Sequence, residues 1–185
     1  DSNNRDRYPL MKPFRGLAVT KATPSKTVIG QGFTLSIDVT ILNHGVDDEV
    51  STVNIYANTT VKASLTATLT NRDFTILTLL WNTTGVAKGN YTITAKAAPV
   101  PDEADLTDNT LTAGWIIVAM VGDITGPDGW PDGKCDMRDI GTAARLFGVN
   151  HPDPRYNPNY DIIYDLKIDM KDIGTLARRF GAVDP

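Results

Sequence analysis

Eight aspartates in the last third of this 185-residue chain fall into two matched sets. Asp128, Asp132, Asp136 and Asp139 return at an offset of 33 as Asp161, Asp165, Asp169 and Asp172, and Met137-Arg138-Asp139-Ile140-Gly141-Thr142 returns with them as Met170-Lys171-Asp172-Ile173-Gly174-Thr175. Each set occupies relative positions 1, 5, 9 and 12 of a short loop. A tight coil with that spacing gathers its carboxylates, plus the backbone carbonyl of position 7, around one hard cation; Lys134 and Lys167 supply that carbonyl. Read as plain helix caps, Asp139 and Asp172 account for position 12 only. Eight carboxylates in two registers repel one another unless a cation offsets them, so the spacing predicts two calcium sites.

This is the spacing of an EF-hand-type loop. In the direct alignment Trp130 and Ile163 stand at position 3, and neither can ligate calcium. The first loop admits a second alignment, with Asp123 at position 1, Thr125 at position 3 and residues 127–131 looped out, a bulge that their Pro and Gly content suits. Asp123 and Asp128 therefore both stand as candidate first ligands. The second loop has Leu166 where the sharp turn prefers glycine, at a cost of about 1 kcal/mol if that residue takes positive φ. The second site is expected to be the weaker.

A short amphipathic helix is predicted after each loop, with Ile140, Ala143, Ala144 and Phe147 in one and Ile173, Leu176, Ala177 and Phe180 in the other at i, i+3, i+4, i+7. The two apolar faces are expected to pack together, with Gly148 and Gly181 as C-terminal stops. Cys135, at loop position 8, is expected to pack inside and to join the two loops by a β-bridge. A duplicated loop–helix unit with Asp at position 12 resembles the type I dockerin, over residues 122–181. The resemblance implies a protein partner of the cohesin kind, met through loop positions 10 and 11, which are Met137-Arg138 and Met170-Lys171 here. Their near identity in the two copies implies that a partner could be engaged in two orientations.

The chain ahead of these loops has another character. Phe33, Leu35, Ile37, Val39 and Ile41 alternate with Thr34, Ser36, Asp38 and Thr40, the period of a half-buried strand. Similar patterns at 17–21, 51–57, 62–70, 74–81, 91–97 and 115–121 make seven strands, and 74–81 and 115–121 are apolar on both faces, as strands covered on both sides would be. The fold class is therefore multidomain: a seven-stranded antiparallel immunoglobulin-like sandwich over 17–121 joined to a small paired loop–helix module over 122–185. Residues 1–16, polar and broken by Pro9 and Pro13, read as an arm or linker; a minority reading has them adding a strand to a neighbouring subunit. The segments 28–39 (VIGQGFTLSIDV), Asn43-His44-Gly45, Trp81-Asn82-Thr83-Thr84-Gly85, Gly89-Asn90-Tyr91 and Asp108-Asn109 resemble the CARDB type of immunoglobulin-like domain. That resemblance implies a secreted spacer or adhesion module and no catalytic residues.

Composition narrows the function classes. The chain is 41% hydrophobic and 22% charged, as soluble globular proteins are, with a net charge of −4. No stretch approaches the ~20 apolar residues of a membrane span, and no basic footprint points to nucleic acid. One cysteine forms no intrachain disulfide, and the start at Asp1 reads as a processed form or a piece of something longer. Sequons at Asn58, Asn82 and Asn90 suit an exported surface glycoprotein. His44 and His151 have no motif partner and are expected in solvent. Without a phosphate loop, nucleophile elbow or zinc pattern, the sequence reads as non-catalytic: an extracellular or cell-surface protein, such as a filament or adhesin module, assembling with a protein partner or with itself as an oligomer. Alternatives are a dockerin that attaches its parent to a cohesin scaffold and the non-catalytic tail of a secreted hydrolase.

Overall fold

The computed structural model describes residues 14–184. Most of the 1–16 arm lies outside them. The alternating segment forms the longest strand of a three-stranded sheet, β1 (Leu17–Pro24), β3 (Thr34–Asn43) and β6 (Phe74–Asn82), in the order β1-β3-β6. Facing it is a five-stranded sheet, β2 (Val28–Gly30), β8 (Thr110–Ala119), β7 (Gly89–Ala97), β4 (Glu49–Ala57) and β5 (Thr60–Leu69), in the order β2-β8-β7-β4-β5. Leu35, Ile37, Val39 and Ile41 are fully buried against Val53, Ile55, Ile93, Ile116 and Val118 of the facing sheet. Each such side chain contributes roughly 1.5–3 kcal/mol by leaving water.

There are eight strands among the described residues, not seven, and one pairing is parallel. After Pro24 the chain leaves the first sheet, and Val28–Gly30 joins the edge of the second beside β8, running in the same direction. Three residues carry no alternation to read, so the sheet switch was invisible to periodicity. The expectation that 74–81 is covered on both faces is also corrected. Phe74, Ile76 and Leu80 are each more than 60% exposed on the outer face of β6, while Leu77, Leu79 and Trp81 fill the core.

Beyond β8 lie two loop–helix units with their own apolar cluster. Ile124, Ala143, Tyr160, Ile168 and Leu176 form it, flanked by Ile140, Leu146 and Ile173. Helix α1 (Met137–Arg145) and helix α2 (Met170–Ala177) pack against each other through only half of the expected face. Ala144, Phe147, Ala177 and Phe180 are exposed; the helices end at Arg145 and Ala177, short of the two phenylalanines, so the helical spacing does not carry these inward. Gly148 and Gly181 take φ of 79° and 80° beyond those ends, as helix stops do.

The N-caps are Asp136 and Asp169, each accepting the N–H two residues on, with Asp139 and Asp172 at N3 completing capping boxes. This corrects the reading of Asp139 and Asp172 as the caps themselves. Cys135 is buried, but its loop pairs with the tail of the other helix and not with the other loop. Cys135 N–H donates to Ala182 O and Gly181 N–H to Cys135 O, at 3.0 and 2.8 Å. In return Ile168 N–H donates to Val149 O and Gly148 N–H to Ile168 O, at 2.9 and 2.8 Å. The exchange is reciprocal, so neither unit closes its backbone hydrogen bonds without the other.

Candidate metal centre

Four buried aspartates organise the two loops. In the first, Asp123 Oδ1 and Oδ2 accept the N–H groups of Asp132 and Gly133 at 3.0 and 2.8 Å. In the second, Asp161 does the same for Asp165 and Leu166 at 3.1 and 2.9 Å. Asp139 accepts Ile124, Thr125 and Asp136 N–H at 2.8–2.9 Å, and Asp172 accepts Ile163 and Asp169 N–H at 3.0 and 2.9 Å. Thr125 thus matches Ile163 at an offset of 38, while Asp139 matches Asp172 at 33, so the first loop holds five extra residues. Asp123, 3% exposed, takes the structural role of Asp161. Asp128 is exposed within the insertion and accepts the Trp130 N–H in a local turn.

The insertion folds back on itself through Gly126. A Cβ there would lie 2.6 Å from Asp132 Cβ and 2.7 Å from Trp130 O, so no other residue fits. Its far end carries Trp130 onto Trp115 of β8, with ring centroids 4.8 Å apart. At the corresponding sharp turns Gly133 has φ 84° and Leu166 φ 67°, so the leucine adopts the left-handed backbone that the sequence made costly. Lys134 and Lys167 sit in the bridges Lys134↔Val183 and Asn150↔Lys167. The bonds of those bridges are made by their neighbours, which leaves the two lysine carbonyls outside the ribbon.

Burial dominates the electrostatics. It pushes the Asp123 carboxyl up to about 6 and raises Asp172, because a charged carboxylate loses hydration there. Asp132, Asp136, Asp165 and Asp169 stand nearer the surface. Asp165 Oδ1 is enclosed without a hydrogen-bond partner among the described residues. An all-oxygen donor set with an orphaned carboxylate oxygen suits a hard cation. No three Asp, Glu, His or Cys side chains among the described residues converge closely enough to clasp an ion, so the carboxylates surround each loop without meeting at one point.

The second loop is braced by residues that sequence reasoning passed over. Lys26, in the β1–β2 connection and 6% exposed, donates from Nζ to the Asp161 carbonyl at 2.7 Å. Burial brings its pKa down to about 8, against the opposing pull of Asp161 and Asp172. Tyr156 Oη donates to Asp161 Oδ2 at 2.6 Å, and Asn159 Oδ1 accepts the N–H groups of Thr27 and Val28 at 2.9 and 3.0 Å, capping the short edge strand. One signal pointed here: the stretch Tyr156-Asn157-Pro158-Asn159-Tyr160 has no counterpart ahead of the first loop.

The remaining candidates are scattered. Met137, Arg138, Met170 and Lys171 are exposed at the helix starts, and Lys171 Nζ donates to Asp165 Oδ2 at 2.7 Å. Asn58, Asn82 and Asn90 are exposed; Asn58 and Asn82 use Oδ1 to accept Thr92 and Thr84 N–H. His44 lies 3.9 Å from Asp108 and His151 packs edge-on to Tyr156; both are exposed. No helix among the described residues is long and apolar enough to cross a membrane.

No family model and no curated protein matches this chain. Among solved structures it is similar to the CARDB domain of a Pyrococcus furiosus protein in complex with di-metal ions, at 24% identity over 58% of this chain and 96% of that one, with a TM-score of 0.49. It is similar to a domain assigned to a cell surface protein of Methanosarcina acetivorans, at 25% identity over 57% and 92%, TM-score 0.45. A chain of a type II cohesin–X–dockerin complex from Acetivibrio cellulolyticus aligns over 89% of this chain and 97% of its own, at 19% identity and TM-score 0.34.

Proposed function

We propose that the protein is a non-catalytic extracellular module in which an immunoglobulin-like sandwich carries a dockerin-like pair of calcium loops, and that its work is protein–protein assembly at a cell surface. The observation that carries this reading is the duplication of buried carboxylates in identical hydrogen-bonding roles: Asp123 with Asp161, and Asp139 with Asp172. Such groups are costly to bury unless a cation offsets them. Asp123, Asp132, Asp136 and Asp139, with Thr125 and the Lys134 carbonyl, would hold one calcium; Asp161, Asp165, Asp169 and Asp172, with the Lys167 carbonyl, would hold a second and weaker one. Bound calcium would supply fixed positive charge and no reaction chemistry. The exposed sequons support an outside location.

The partner surface in this reading is the pair of exposed helix starts. Met137 and Met170, 64% and 65% exposed, offer adaptable apolar contacts beside Arg138 and Lys171. This also favours the second reading, docking onto a cohesin scaffold. The test is self-association and cohesin capture in calcium and in chelator, with the native chain and with a quadruple variant, Met137→Asp, Arg138→Ser, Met170→Asp, Lys171→Ser. Assembly lost in chelator and in the variant supports the reading. Assembly indifferent to both moves the contact to the sandwich.

A further inference from the structure

The two loops carry four carboxylates each, yet among the described residues only the second loop is met by side-chain cations. Among the described residues, Arg138 makes no ion pair with the first loop, whereas its counterpart Lys171 bonds Asp165. The second loop also receives Lys26 from a part of the chain 135 residues away. That ammonium sits on the Asp161 carbonyl, flanked by the Tyr164 ring 5.2 Å from its centroid, and feels the charges of Asp161 and Asp172. A buried ammonium is sustained only by such partners.

We infer that Lys26 of the sandwich is a resident counter-charge for the second loop, lowering that loop's affinity for calcium and tying it to contact with the sandwich. The inference rests on the calcium reading above. Positive charge at the Asp161 end of the loop occupies the field that a divalent cation would otherwise use, and it repels that cation at short range. The first loop touches the sandwich through Trp130, and the sandwich's Lys88 beside it is paired with Asp184 and not with a loop carboxylate, so this loop escapes the competition. The calcium responses of the two loops are therefore set apart by the sandwich as well as by Leu166.

Calorimetric titration of the full chain with calcium chloride tests this in four proteins: native, Lys26→Met, Lys26→Gln and Lys26→Arg. Gln keeps an N–H donor for the Asp161 carbonyl without the charge; Arg keeps the charge. The expected result is a weaker binding class that tightens tenfold or more, or first appears, in Met and Gln, with the stronger class unmoved and Arg close to native. Two classes in the native chain with the weaker one unmoved in Gln would overturn the inference and leave the calcium reading standing. A native chain that takes up no calcium would overturn both.

Discussion

The first and second loops have one carboxylate frame and two different settings. Asp123 and Asp161 close the same turn, and Asp139 and Asp172 tie the loop starts to the helix caps, yet the first loop carries the 127–131 insertion and a glycine at its sharp turn. The second has Leu166 at that turn and is clamped by Lys26, Tyr156 and Asn159. The difference teaches that the repeat duplicates the carboxylate frame, while the unrepeated residues fasten each copy to the sandwich by separate means: stacked tryptophans at one loop, a buried ammonium and an amide cap at the other.

The largest effect should come from removing calcium from both loops at once. With calcium at about a thousand times a site's dissociation constant, linkage supplies about 4 kcal/mol for that site, so a chelator should destabilise the 122–184 body by at least that much, read as a lower calorimetric melting temperature, and spare the sandwich. Next in size is the contrast within the first loop. Asp123→Ala removes the acceptor of two backbone bonds to a charged group, each worth about 1.5–3 kcal/mol, and a ligand besides. Asp128→Ala should stay within about 0.5 kcal/mol of native. Equal losses of calcium affinity would return position 1 to Asp128.

Smaller effects sharpen the contrast between the sharp turns and between the two fastenings. Leu166→Gly should stabilise the second loop by about 1 kcal/mol and Gly133→Leu should cost at least as much, read from urea unfolding in calcium. Trp130→Ala removes an aromatic pair worth about 0.5–1.5 kcal/mol. It should erase the exciton signal of the Trp115–Trp130 pair in circular dichroism without altering the weaker calcium class.

Much of this was legible because it rests on period and repetition. Alternation exposed the central strand at Leu35 to Ile41, and the 33-residue offset exposed both aspartate sets; of the two candidate first ligands, Asp123 closes the loop's turn and Asp128 lies in the insertion. What escaped has no period. Val28–Gly30 is too short to alternate, and its parallel pairing depends on a switch between sheets. Lys26 reads as an ordinary surface lysine until the fold brings a carbonyl from position 161 to its ammonium. Phe74, Ile76 and Leu80 read as buried because apolar side chains on both faces of a strand carry no label for which face is covered. Phe147 and Phe180 fit the helical spacing, but the helices end before that spacing can act.

The central claim is that the duplicated carboxylate loops hold calcium, and its most direct test is the number of ions bound per chain. Native mass spectrometry of the full chain, stripped with chelator and returned to calcium, should show two calcium ions bound to the native protein and none to the double variant Asp123→Ala, Asp161→Ala. No calcium on the native chain, or two ions still present on the double variant, would contradict the account.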